Sequence, residues 1–200
     1  MPKVKVPRKS ISLDMTAMCD MAFLLLTFFI LTARMKAPEP AKFDVPSSID
    51  TSKVQDKDML KISISNDGRI FLSLKDPKIR REVIRLTCND YYKLELTDSQ
   101  LDELALIENF GLPVSTIKSY LSVPDAERKD IPLPGIPCTK ANNELYIWVD
   151  RTRGVNSDLG MGVKADKECP YKVIKEVFGT MQEAHENNLS LITTLEAAPE

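Results

Sequence analysis

The sequence predicts an α+β protein, in which one N-terminal transmembrane helix precedes a small domain of mixed or antiparallel sheet with helices packed on it. Three patterns support this fold class. Residues 15–33 are almost uniformly apolar, residues 60–74 alternate apolar and polar side chains around a turn, and residues 173–181 carry apolar side chains at helical spacing. Their order along the chain is typical of a membrane-anchored α+β domain.

Composition limits the classes of function. The 200 residues carry 27 Lys and Arg against 29 Asp and Glu, so the basic excess of a nucleic-acid-binding protein is missing. The mean hydropathy of −0.18 excludes several membrane spans but allows one. Four Cys are too few for a disulfide framework, and one His argues against a His-rich metal site. We therefore expect no nucleic-acid partner, no metal and no cofactor.

The apolar run predicts a transmembrane helix over residues 15–34, after a basic segment at residues 1–14. A helix over the 19 residues 15–33 rises about 28 Å, close to the thickness of the hydrocarbon core of a bilayer. A signal peptide cleaved near Thr32-Ala33 and a buried core helix are the alternatives. Residues 1–14 carry four Lys or Arg and residues 34–48 carry three, which favours a cytoplasmic N-terminus.

Asp20 is the one charged residue within the run. A carboxylate inside a bilayer costs roughly 2.5–3.5 kcal/mol, and such residues usually face a protein partner or a water-filled path. Because an apolar environment favours the neutral carboxyl group, an intramembrane acid can bind and release a proton. Helical spacing places Thr16 and Thr27 on the same face. The alternatives are that Asp20 reaches the lipid headgroups and that each Thr bonds to a carbonyl of its own helix.

The next segments predict a linker and a β-hairpin. Residues 35–57 contain three prolines and charges of both signs, which indicates an extended linker, either stiff or an ordinary disordered tether. Residues 60–65 alternate with period two and predict a strand. Asn66-Asp67-Gly68-Arg69 is a hairpin-turn pattern, and residues 70–74 predict the returning strand.

The rest of the chain predicts a mixture of helices, loops and strands. A capping box from Thr97 to Gln100 predicts a helix that Gly111-Leu112-Pro113 ends. The remaining predictions are a short helix over 114–121, a long loop over 122–140, a strand over 144–150, a helix beginning at Pro170, and a half-buried strand over 188–195.

Four further residues have simple expected roles. Cys88 and Cys138 either pair in an oxidising compartment or remain free. His185 is expected to be solvated on the last helix, and Trp148 is expected in the core.

Two segments resemble the ExbD/TolR family of energy-transducing membrane proteins. Residues 15–29, MTAMCDMAFLLLTFF, are similar to the family's span, with Thr16 and Asp20 at its Thr and its proton-carrying Asp. Ala17 stands where the family usually has Pro. Residues 162–171, GVKADKECPY, with the helical and strand patterns after them, are similar to the end of the family's periplasmic domain. The middle does not match, so residues 75–158 are expected to be an insertion within a periplasmic domain of residues 58–200.

The resemblance implies a non-enzymatic, single-pass inner-membrane subunit driven by the proton motive force, with a cytoplasmic N-terminus. Asp20 would carry protons, and Thr16 and Thr27 would line their path. The implied partners are a polytopic ring of the ExbB/TolQ type, a TonB- or TolA-type protein and a second copy. TonB-dependent transport is the expected role. A TolR-like role in outer-membrane integrity and a signal-anchored periplasmic binding module without a proton role remain alternatives.

Overall fold

The computed structural model describes residues 15–33, 43–48, 59–128, 131–186 and 188–195. The chain divides into two compact units, residues 1–38 and 39–200. In the first unit, helix α1 covers Met15–Thr32, and its 18 residues contain neither Gly nor Pro. It is long and apolar enough to cross a membrane. The helix predicted from the apolar run is therefore confirmed.

The second unit alternates short strands and helices along the chain. Its elements are β1 (Ser47–Ser48), β2 (Met59–Ile64), β3 (Ile70–Ser73), α2 (Pro77–Ile84), a π-helix (Arg85–Tyr91), α3 (Asp98–Ala105), β4 (Asn109–Phe110), a 3-10 helix (Val114–Thr116), α4 (Ile117–Leu121), α5 (Asp125–Arg128), β5 (Cys138–Thr139), β6 (Asn142–Asn143), α6 (Glu144–Val155), β7 (Gly160–Ala165), α7 (Tyr171–Glu183), β8 (Leu189–Leu191) and β9 (Thr194–Leu195). This succession confirms the α+β class.

A five-stranded mixed sheet with the order β4-β3-β2-β7-β8 forms the centre of this unit. Strands β2 and β3 are antiparallel and are joined by the predicted turn, in which the Ser65 N–H donates to the Arg69 carbonyl at 2.9 Å. Gly68 has a φ of +78°, which L side chains rarely adopt, so glycine suits this turn. Strand β7 runs parallel to both β2 and β8, which makes it a central strand.

Two short ladders lie apart from this sheet. Strand β1 pairs in parallel with β9, and β5 pairs in antiparallel with β6. Because β1 belongs to the segment before the sheet and β9 to the last described residues, the two ends of the domain lie together.

The core forms where helices pack on the sheet. The period-two pattern of β2 is confirmed, because Leu60, Ile62 and Ile64 are all fully buried. Helix α7 begins directly after Pro170, as predicted, and buries Val177 and Met181 from its apolar stripe. Burial of such apolar side chains is the main favourable term in folding.

The strand predicted at residues 144–150 is wrong, because this segment begins helix α6. The Asn143 side chain caps the helix by accepting the Tyr146 N–H at 3.2 Å. The buried residues Leu145, Trp148, Val149 and Thr152 follow at helical spacing. Of the aromatic and β-branched residues that suggested a strand, Trp148 and Val149 lie on the buried face and Tyr146 and Ile147 are half-buried, so tertiary packing outweighs their strand propensity.

The predicted end of α3 also needs correction. The capping box of Thr97 and Gln100 is present, but the helix ends at Ala105 rather than at Gly111. Strand β4 (Asn109–Phe110) lies between them, and its Phe110 pairs with Leu72 of β3. The predicted loop over 122–140 contains α5 and the first residues of the β5–β6 ladder.

The final strand is shorter and less buried than predicted. It consists of β8 and β9, and Leu191 is 56% exposed, whereas Leu189 packs partly against the core. Trp148 lies in the core and His185 is exposed, as predicted, but His185 lies in the turn after α7, which ends at Glu183, and not on the helix. The four cysteines are free, so Cys88 and Cys138 do not pair in this structure.

Candidate functional site

Asp20 is the one charged side chain on α1, and it lies on the outer surface of the helix. It stands five residues from Met15, about 7.5 Å along the axis of a helix that is about 27 Å long. If α1 spans the bilayer, Asp20 lies about 7.5 Å in from one end of the span.

Thr16 and Thr27 lie on the Asp20 face of α1, four residues before it and seven after it. The Thr27 hydroxyl donates to the Leu24 carbonyl at 2.9 Å, so the bond to its own helix is present. This bond uses the hydroxyl hydrogen and leaves the oxygen able to accept a further hydrogen bond. The face therefore presents a carboxyl group together with a hydroxyl oxygen that can accept.

In the second unit, residues 43–48 of the predicted linker contact the domain. The Phe43 ring meets Phe71 edge-on with 6.4 Å between ring centroids, and the Lys164 ammonium lies 4.6 Å from the Phe43 centroid. Val45 is buried. The remainder of the linker, residues 35–42 and 49–57, lies outside the described residues. We call residues 43–48 the docked segment.

Asp166 binds the main chain of the docked segment. Its carboxylate accepts the Glu168 N–H at 3.0 Å and the Asp44 N–H at 2.8 Å. Asp44 in turn accepts the Lys167 N–H at its carbonyl and contacts the Lys167 ammonium at 3.3 Å. The two backbone donors hold the pKa of Asp166 below its ordinary value. The Ala165-Asp166 pair of the family-like segment thus joins the end of β7 to the docked segment.

Two buried charged residues support the helices around this sheet, and the sequence reasoning did not single them out. Arg80 donates four hydrogen bonds to the carbonyls of Leu74, Lys75 and Ala105. Glu144 accepts the Val114 N–H at 2.9 Å. Both satisfy main-chain groups, so their role is structural. Among the described residues, no group of three His, Cys, Asp or Glu is placed to hold a metal ion.

The contacts of the docked segment were also missed, because their partners are distant in sequence. Asp44 and Asp166 are separated by 122 positions, and no local pattern reports such a pair. The one available signal was the Ala-Asp pair within residues 162–171.

These observations define a class of protein: among the described residues, one apolar helix of membrane-spanning length carries one carboxylate, and an α+β domain follows it in the chain. Comparison with family models gives a match to the biopolymer transport protein ExbD/TolR family over residues 7–196. The chain belongs to the ExbD/TolR family. No match was found among curated proteins or among solved structures. The matched region includes residues 75–158, and the expectation that they are an insertion stays a prediction.

Proposed function

We propose that this protein is the proton-carrying subunit of an inner-membrane complex that converts the proton motive force into work at the outer membrane. Family membership gives the broader role, that of a transport-associated subunit. The observation that carries the finer proposal is Asp20, the sole charge on an 18-residue apolar helix. An anchor has no use for a carboxylate that is costly to insert.

The proposed proton step takes place at the Asp20 carboxyl group. Protonation makes the group neutral and removes the cost of an ionised carboxylate in an apolar environment, so α1 can move against the surrounding ring. Release of the proton from Asp20 on the other side of the membrane completes the transfer. Thr16 and Thr27 orient the carboxyl group or a water chain on the same face. Each proton that crosses about 100 mV supplies about 2.3 kcal/mol.

The partners and topology follow from the same proposal. An ExbB/TolQ-type ring surrounds α1 in the inner membrane, and the N-terminus is cytoplasmic. The soluble domain lies in the periplasm, dimerises and acts on a TonB- or TolA-type protein. The docked segment supports transmission of movement, since it fixes part of the predicted linker to β9 and to Asp166. The chain is not an enzyme and uses protons rather than a cofactor.

The decisive experiment compares Asp20→Asn with the parent chain, at matched membrane levels, in cells that lack the native copy. Asn retains size and hydrogen bonding but cannot ionise, so growth that depends on active outer-membrane uptake is expected to be lost. Cys19→Ala, a change at the neighbouring position on a different face of α1, is the matched control and is expected to retain uptake. Uptake that survives Asp20→Asn would refute the proton role and favour a simple anchor.

A second assay separates the two branches of the family. In cells that lack the native copy, loss of uptake with an intact outer membrane is the result expected for the transport role. Detergent sensitivity and leakage of periplasmic proteins with normal uptake would instead assign the chain to the TolR-like role. Recovery of a mature chain that begins after Ala33 would favour the signal-anchored module.

A further inference from the structure

The docked segment contacts the domain as an extended peptide contacts a binding surface. Phe43 packs on the domain and Val45 is buried, whereas the side chain of Asp44 between them is 77% exposed. This alternation is that of an extended chain, whose successive side chains point to opposite sides. One side of the segment therefore contacts the domain, and the other side faces solvent.

The ring of Phe43 lies on the face of the sheet that is opposite to the core. Ile70 and Leu72 of β3 belong to the core that the sheet forms with the helices. Because side chains alternate along a strand, Phe71 between them points to the other face. Phe43 contacts this ring, and the Lys164 ammonium lies against Phe43. The docked segment thus covers a patch of the second sheet face.

The middle residue of the segment is recognised mainly through its main chain. The Asp44 N–H donates to the Asp166 carboxylate at 2.8 Å, and the Asp44 carbonyl accepts the Lys167 N–H at 2.9 Å. Its side-chain contact with the Lys167 ammonium is exposed, and exposed ion pairs contribute little. Every residue except proline can make both main-chain bonds. The site therefore selects a pattern, an aromatic residue followed two positions later by an aliphatic residue.

Few contacts hold the docked segment in place. Its ladder with β9 joins only two residues of each strand. Of residues 43–46, Val45 alone is buried. Regions with few buried apolar contacts open at a lower free-energy cost than the core of a domain. The segment can therefore leave its site while the sheet and the helices remain folded.

We propose that the docked segment occupies in cis a binding site for a partner protein, which supplies an extended segment of the same aromatic-any-aliphatic pattern. The partner's aromatic ring takes the place of Phe43, and its aliphatic side chain takes the place of Val45. The residue between them bonds to Asp166 and Lys167 through its main chain. Main-chain bonds combined with pockets for alternate side chains are a common mode of peptide recognition. This site is independent of the proton role of α1, so either proposal can fail without the other.

The experiment measures binding of a fluorescent peptide with the sequence of residues 41–48, AKFDVPSS, to the full-length protein in detergent micelles. Asp44→Pro removes the N–H group that Asp166 accepts and so releases the segment in cis. Asp44→Ala retains this N–H group and is the matched control. A segment that is docked about 90% of the time lowers the apparent affinity for a competing peptide about tenfold.

Fluorescence anisotropy is therefore expected to show binding to Asp44→Pro about tenfold tighter than to the parent chain or to Asp44→Ala. The fluorescence of the buried Trp148 checks that the domain is folded. If Asp44→Pro does not fold, Phe43→Ser replaces it, because this change removes the ring contact and keeps the main chain. Equal affinities for the released and control variants, or no binding to a folded released variant, would overturn the proposal.

Changes within the peptide test the proposed pattern. The Asp44→Ala peptide is expected to bind as the parent peptide does, whereas the Phe43→Ser and Asp44→Pro peptides are expected to lose binding. Unchanged binding of the Phe43→Ser peptide would show non-specific adhesion and refute the site. A last peptide keeps Phe43 and Val45 and has Ser at its other positions. Binding of this peptide supports a partner, whereas its failure would restrict the site to exchange between copies of this chain and overturn the partner proposal.

Discussion

Replacement of Gly111 by Ala is expected to destabilise the domain through a clash with Phe71. A Cβ atom at Gly111 would lie 2.3 Å from Cδ1 and 2.7 Å from Cε1 of the Phe71 ring. The ring has little freedom to move, because it is 1% exposed and also meets Phe43 edge-on. An overpacked core costs about 1–3 kcal/mol. At about 2–4 °C per kcal/mol for a domain of this size, Tm falls by roughly 2–12 °C.

Gly154→Ala is the matched control, since a Cβ atom at this position in α6 meets nothing within 4 Å. Alanine in a helix interior is more stable than glycine by about 0.5–1 kcal/mol, so Tm is expected to rise. Thermal unfolding is followed by the fluorescence of Trp148, the one Trp, which is buried in the domain. A neutral or stabilising Gly111→Ala alongside a stabilising Gly154→Ala would refute the packing argument.

Three further predictions concern the buried polar groups. The folded-state pKa of Asp166 lies below its unfolded value of about 3.9, so its bonds stabilise docking fully above that pH and are lost as pH falls through the folded pKa. The protection of the Asp44 N–H, measured as its exchange rate relative to the intrinsic rate at the same pH, should therefore fall as pH drops through the lowered pKa of Asp166, and should be reduced at neutral pH in Asp166→Asn. Unchanged protection in both cases would contradict this. Glu144→Leu leaves the Val114 N–H unpaired and is expected to lower the free energy of unfolding, measured with denaturant, by about 1–3 kcal/mol. Glu144→Gln is expected to lower it by less, and equal losses in the two variants would show that the hydrogen bond is unimportant. Burial, assisted by the charge of Glu144, raises the pKa of Cys88 to about 12. Cys88 in the folded protein should therefore resist alkylation at pH 8 and react after unfolding, as measured by mass spectrometry. Rapid alkylation of the folded protein at Cys88 would refute its burial.

The sequence correctly predicted the elements that depend on interactions between residues close together in the chain. The β2–β3 hairpin follows from alternation on both sides of an Asn-Asp-Gly turn, and the start of α3 follows from a capping box in which Thr97 and Gln100 satisfy each other's main chain. Helix α1 follows from an apolar run in which Asp20 is the one charged residue. In each case the residues that decide the structure are neighbours in sequence.

Packing decided the elements that the sequence reasoning missed. Helix α6 contains Tyr146, Ile147 and Trp148, which have high strand propensity, and it is a helix because Asn143 caps it and one face is buried. The docked segment has no periodicity of its own, and Asp166, which accepts the Asp44 N–H, lies 122 positions away in sequence. The ladder of β4 with β3 joins only two residues of each strand, which is too short to give a pattern.

The position of β7 in the chain determines how long β2 waits for its parallel partner during synthesis. Its Gly160 pairs with Met59 of β2, roughly 100 residues earlier in the chain. A ribosome that adds 5–20 residues per second needs roughly 5–20 s to cover that distance. For that period the nascent β2–β3 hairpin exists without its central partner strand, and one side of its backbone is open to incorrect pairing. Helix α1 is made earlier, so membrane insertion can begin well before the sheet that follows it is closed.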